Sequence, residues 1–175
     1  MKLITIDPGT ENSGWVILDG MEIVRHGINE NKTLLYNFGP NYSERSDAYP
    51  DELVIEMVSH YGSGMPAGAS VFETCIWIGR FEQKWRDNNN TPPHRLFRRD
   101  VKLWLCDSVR AKDANVRQAV IDRYPPTGKD GKGRPSAIGT KAHPGPLYGV
   151  SSHEWAALAL GITFNETREQ EQAND

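Results

Sequence analysis

The sequence predicts an α/β protein built on a mixed five-stranded sheet with helices on both faces, and three stretches carry that expectation. The first is Met1 to Trp15, MKLITIDPGTENSGW, where Leu3, Ile4 and Ile6 form an apolar strand that runs into Asp7. The second is Leu53-Val54-Ile55, short, wholly apolar and ended by Glu56 in the same manner. The third is the run of helical-period segments after Glu56, interrupted by one more short strand. Antiparallel strands first, then helix and strand pairs, spell a mixed sheet covered on its faces.

In chain order, Pro8-Gly9 and Gly14 are read as turning the backbone into a second apolar run, Trp15 to Leu18. Asp19-Gly20, between that run and Met21 to Arg25, is a two-residue hairpin signal. Glu30 to Phe38 reads as a short helix, and Gly39 to Pro50 as turn-rich and polar. Beyond Glu56, Met57 to Ser70 is a Gly-rich connection to a long helix, Val71 to Arg86, with Val71, Cys75, Ile78, Phe81 and Trp85 on one stripe. That stripe suits the core or a dimer interface.

His94 to Phe97 reads as the fifth strand; Arg99 to Cys106 and Asp113 to Arg123 read as helices, with Asp113 as N-cap of the second. Residues 125–149 are dense in Gly, Pro, Lys and Arg without periodicity, which predicts a long flexible basic loop. Ser151-Ser152 caps a last helix from His153 to about Thr163, with Ala156, Leu158, Ala159 and Leu160 inward, and 165–175 predicts a frayed charged tail. The chain thus reads as one domain over residues 1–164, with no repeat or linker.

A chain of 175 residues, 38% hydrophobic with mean hydropathy −0.59, can bury a core of its own. No stretch has the apolar length of a membrane span and no signal pattern opens the chain, so the cytoplasm is the expected compartment. Cys75 and Cys106 lack metal or redox spacing and read as reduced thiols. The net charge of −3 hides a division: residues 80–141 carry 15 Lys plus Arg against 7 Asp plus Glu, and the remainder 5 against 16. A basic middle suits either a phosphate-binding face or solvated helix surfaces.

The chemistry is in the strand ends. A buried carboxylate costs several kcal/mol unless a cation, a donor or a proton compensates it. Asp7 and Glu56 can sit side by side in such a sheet, and the first turn of the last helix can bring His153 and Glu154 to the same place. Adjacent carboxylates favour a hard divalent cation, Mg²⁺ or Mn²⁺, and one imidazole is compatible with either.

The stretches IDPGTENSGW, LVIEMVSHYG, VFETCIWIGRF, RRDVKLWLC, AKDANVRQAV and GTKAHPGPLYGVSSHEWAALALGI cover most of the chain. In this order they resemble the RuvC-type Holliday junction resolvases, particularly the short phage-encoded RuvC-like proteins of the RNase H-like superfamily. The resemblance implies a two-metal endonuclease acting on branched DNA such as four-way junctions, with Asp7, Glu56 and His153 as catalytic metal ligands. Paired incisions would need a homodimer. The family's final carboxylate, three residues after the histidine, is Ala156 here; Glu154 and Glu73 remain as acids to replace it, though neither stands at the matching position.

Arg98, Arg99, Lys102, Lys112 and Arg117 on flanking helices, and Lys129, Lys132, Arg134 and Lys141 on the loop, are the candidate phosphate contacts. Family resemblance of the VK and AK-D segments singles out Lys102 and Lys112. Tyr61, Phe72 and Trp77 are candidates for stacking on unpaired bases. Two other readings stand beside this one. Asp-x-Gly-Thr with Asn-Ser-Gly also looks like the first phosphate loop of actin, sugar-kinase and Hsp70 ATPases, but the glycines supply no second phosphate loop, so no nucleotide cofactor is expected. Ala156 motivates the other, a junction-binding protein without turnover.

Overall fold

The computed structural model describes residues 1–37, 50–59, 68–89 and 91–174. Strands β1 (Lys2–Asp7), β2 (Asn12–Asp19) and β3 (Glu22–Glu30) form an antiparallel meander followed by helix α1 (Asn31–Asn37). Then come β4 (Glu52–Met57), α2 (Ala69–Asn88), β5 (His94–Phe97), α3 (Arg98–Cys106), α4 (Asp113–Ile121) and, last, α5 (Glu154–Asn174). The main sheet has the order β3-β2-β1-β4-β5, with β4 parallel to β1 and β5 parallel to β4. The expected mixed five-stranded sheet is present, and Gly20, at φ 58, makes the predicted Asp19-Gly20 turn.

The alternation of the strands divides the core. Ile4, Ile6, Leu53 and Ile55 pack with Ile78, Phe81 and Trp85 of α2 on one face. Leu3 and Val54 pack with α3, α4 and α5 on the other. Side chains two apart on a strand share a face, so Asp7 follows Leu3 and Thr5, and Glu56 follows Val54, onto the α5 side. Thr5↔Val54 and Ile6↔Ile55 are paired in register, and the next step brings Asp7 beside Glu56. Helix α5 is buried all round from Ala157 to Thr163 because it is wedged between the sheet and α3 with α4. It is tied down by the Thr5 hydroxyl, which donates to the Ala157 carbonyl at 2.7 Å.

Several local expectations are corrected. Gly14 lies inside β2 opposite Asp7 and not in a turn. The α2 stripe is narrower than read: Ile78, Phe81 and Trp85 are buried, whereas Val71 is exposed and Cys75 only half-buried. Lys112 is the N-cap residue of α4, and Asp113 is its first helical residue, with its carboxylate turned toward cations on α3.

Residues 125–149 are not a structureless loop. They fold into two small hairpins, β6 (Gly128–Lys129) with β7 (Pro135–Ser136) and β8 (Gly139–Thr140) with β9 (His143–Pro144), whose two-residue strands are too short to show a period. Ala137 and Leu147 anchor them in the core, and a Cβ on Gly145 would stand 2.2 Å from the Ala137 carbonyl oxygen. The expected frayed tail is also helical, since α5 continues to Asn174. Arg123 and the Trp104 indole both donate to Glu166 at 2.7 Å, and Arg168 reaches Glu52 at 2.8 Å. Those tertiary contacts hold a segment that has no apolar face of its own. Among the described residues no helix is long and apolar enough to cross a membrane. Most of the turn-rich stretch (38–49) and the centre of the Gly-rich connection (60–67), with Tyr61, lie outside the described residues.

Candidate active site

Asp7 is held by the turn that comes after it. A Cβ on Gly9 would stand 2.3 Å from the Asn12 carbonyl oxygen, so the turn closes only around glycine. Buried Asn31 braces it: its amide donates to the Gly9 carbonyl at 2.9 Å, and the Ser13 hydroxyl donates to its side-chain oxygen at 2.6 Å. Opposite Asp7, Gly14 leaves room for the backbone entering α5. A Cβ there would lie 2.6 Å from the His153 carbonyl carbon and 2.7 Å from its Cβ. Two residues 146 positions apart therefore meet, with His153 Nδ1 at 3.0 Å from Asp7 Oδ2. An ionised carboxylate only accepts, so Nδ1 is the donor to Asp7, and in the neutral ring Nε2 is then the nitrogen with the lone pair.

Glu56 is served by a cation. Arg98 Nη1 lies 3.3 Å from Glu56 Oε2, and Nη2 of the same guanidinium donates to Asp113 Oδ1 at 3.0 Å. Lys102 Nζ joins Asp113 at 3.4 Å. Burial pushes the Asp7 carboxyl above its ordinary value, opposed by the hydrogen bond from His153. Burial first and the Asp7 charge second push Glu56 up to about 7, and Arg98 offsets only part of this. Asp113 is held below the ordinary carboxylate range, chiefly by its bond from Arg98.

Asp7, Glu56, Arg98, Asp113, Arg117, His153 and Ala156 all line one open cavity of about 750 Å³. Arg117 stacks its guanidinium over Trp155, 4.6 Å from the ring centroid. Arg99 is exposed, pairs with Asp100 and lies over Phe97. Lys112, Lys129, Lys132, Arg134 and Lys141 are exposed outside the cavity, the last four on the hairpin module, where Arg134 is tied to Asp130. Phe72 is exposed on α2, and Trp77, half-buried, carries Arg80 over its ring.

The two candidates for the missing carboxylate do not line the cavity. Glu154 is buried and accepts hydrogen bonds from the Ser151 backbone N–H at 2.6 Å and the Ser151 hydroxyl at 3.0 Å, with His26 Nδ1 at 2.9 Å. It caps the start of α5. Glu73 is exposed on α2. The acid that does face the cavity is Asp113, which sequence reasoning reserved for a cap; its only signal was its place in the AK-D segment between two basic helices.

The donor types fit a hard divalent cation. Burial raises both strand-end carboxyls, the Asp7 charge raises Glu56 further, and the His153 imidazole stands beside Asp7. Among the described residues, however, no three His, Cys, Asp or Glu side chains converge as a ready cage. Glu56 is engaged with Arg98 instead.

No protein-family model matches the chain, and no curated protein matches it in sequence. Solved structures do. Thermus thermophilus RuvC aligns at 16% identity and a TM-score of 0.61 over 97% of each chain. T. thermophilus RuvC in complex with Holliday junction substrate aligns at 14% identity and a TM-score of 0.63, over 97% of this chain and 96% of that one. At that identity the likeness is one of fold: the chain has the RNase H-like architecture of RuvC from its first strand to its last helix.

Proposed function

We propose that the protein is a divalent-metal-dependent endonuclease that hydrolyses phosphodiester bonds in branched DNA, four-way junctions foremost. One observation carries the reading: Asp7 and Glu56, ending adjacent parallel strands on one face, meet His153 in a cavity that Arg98 and Arg117 also line. Its fold is that of a protein solved with Holliday junction substrate.

Asp7, Glu56 and His153 would hold Mg²⁺ or Mn²⁺, two ions per site. The bound ions would make a water nucleophilic and neutralise the departing oxygen. The chain's own residues do the rest. Asp7 fixes the His153 ring through Nδ1, which leaves Nε2 as a metal ligand or as a base for the attacking water. Arg98 and Arg117 present charged donors to the backbone phosphate within the cavity, and the Trp155 ring supports the Arg117 guanidinium from below. Lys102, Arg99, Lys112 and the hairpin residues Lys129, Lys132, Arg134 and Lys141 extend that phosphate track without reading bases.

The protein acts as a homodimer in this reading. Phe72 and Ile76, 60% and 54% exposed and one turn apart on α2, supply an apolar face for a second copy. The alternative, a junction binder without turnover, is favoured by Ala156 in the cavity wall and by Arg98 on Glu56. Incubation with four-way junctions, forks and flaps in Mg²⁺ and in Mn²⁺ separates them. Wild type is expected to nick at least one branched DNA in one of the metals, and Asp7→Asn to bind it equally well and leave it whole. Binding without cleavage of any of these DNAs by wild type in both metals would leave the binder.

A further inference from the structure

We propose that Arg98 and the divalent cation compete for Glu56, and that Asp113 is the positioning residue that receives Arg98 when the cation enters. This rests on the metal-dependent reading above and adds to it a device that links metal loading to presentation of an arginine to DNA.

The geometry is asymmetric. Arg98, the first residue of α3, uses Nη1 for Glu56 and Nη2 for Asp113, so neither carboxylate is gripped by both nitrogens. The Glu56 contact, 3.3 Å, lies at the long end of such bonds, whereas the Asp113 contact, 3.0 Å, is ordinary. Glu56 is half-buried on the sheet beside Asp7. Asp113 is 75% exposed at the mouth and is fixed by a second cation, Lys102.

A divalent ion at Glu56 meets a guanidinium on the same carboxylate, and like charges within a few ångströms in a partly desolvated site repel strongly. The weaker contact is the one to break. Asp113 keeps the arginine at the mouth of the cavity, and the donors released from Glu56 are free for a phosphate oxygen. The missing carboxylate at Ala156 then has a counterpart: one fewer acid in the wall, and an arginine covering one of those that remain.

Calorimetric titration of MnCl₂ into the full chain without DNA tests this with Arg98→Met, Asp113→Asn and the double variant. Arg98→Met is expected to tighten Mn²⁺ binding about five- to tenfold, a coupling of ordinary size. Asp113→Asn, which keeps an acceptor but takes the charge from the guanidinium's other partner, is expected to loosen it severalfold. In the Arg98→Met background the Asp113 substitution should change affinity less than about twofold, because its effect passes through Arg98. Equal factors for Asp113→Asn in the two backgrounds would show that both act as distant charges and overturn the hand-over. Unchanged or weaker Mn²⁺ binding by Arg98→Met would overturn the competition. If Arg98→Met does not fold, Arg98→Lys serves, since an ammonium is a single point and is expected to give a smaller gain of the same sign. Absence of Mn²⁺ binding by wild type and by every variant would instead sink the metal-dependent reading itself.

Discussion

At the scale of single residues, the site holds a measurable electrostatic debt. Glu56, with an ordinary value of 4.5, titrates near 7 in the fold. Between those values the folded chain binds a proton that the unfolded chain has released, so stability falls as pH rises through the window and stays lower above it. The difference is about 3 kcal/mol at full ionisation. Glu56→Gln should therefore match wild type in urea midpoint at pH 4, exceed it at pH 8 in chelator, and fail to cleave at either. An unchanged difference between the two pH values would mean that Arg98 neutralises Glu56 fully. Gly14 is the second residue-scale case. Gly14→Ala places a methyl against the His153 backbone, and a displacement of about 1 Å at a reacting group can cost about a hundredfold in rate. Cleavage should drop by that order and the melting temperature should fall, since the His153 backbone has to move, while circular dichroism below the transition changes little; undiminished cleavage would remove His153 from the chemistry.

At the scale of elements, Glu154 is engaged with Ser151 and His26 at the start of α5. Glu154→Ala leaves the Ser151 N–H and His26 without their partner, at a cost of about 1–3 kcal/mol. A urea midpoint shifted by that amount with Mn²⁺ affinity preserved is the expected outcome, and the reverse pattern would return Glu154 to the ligand set. What the sequence discloses of the elements comes from their periods. The strand ending in Asp7, the Asp19-Gly20 hairpin, the strand ending in Glu56 and the helices Val71 to Arg86 and Arg99 to Cys106 all carry local patterns, and each is found within a few residues. The hairpin module around Gly145 carries none, because backbone approach and two buried anchors make it. The last turns of α5 are polar on every side and depend on Arg123 and Glu52 from the rest of the fold, which hold its Glu166 and Arg168. Of the candidate site, Asp7, Glu56 and His153 were legible as strand-end acids and a helix-start imidazole. The bridge from Arg98 to Asp113 was not, since it joins the starts of two helices through space.

At the scale of the whole molecule, α2 turns Ile78, Phe81 and Trp85 into the core and leaves Phe72 and Ile76 outside. Phe72→Asp with Ile76→Asp should convert a dimer into a monomer in sedimentation at micromolar concentration without altering the melting profile. A wild type that sediments as a monomer with and without a junction would remove the paired-incision scheme. The contact between Asp7 and His153 has a bearing on how the protein comes into being. One partner belongs to the first strand and the other immediately precedes the last helix, 146 positions later. A ribosome must therefore release the whole five-stranded sheet and most of the helices before the two can meet, and a polypeptide stalled or clipped short of residue 153 lacks the pair.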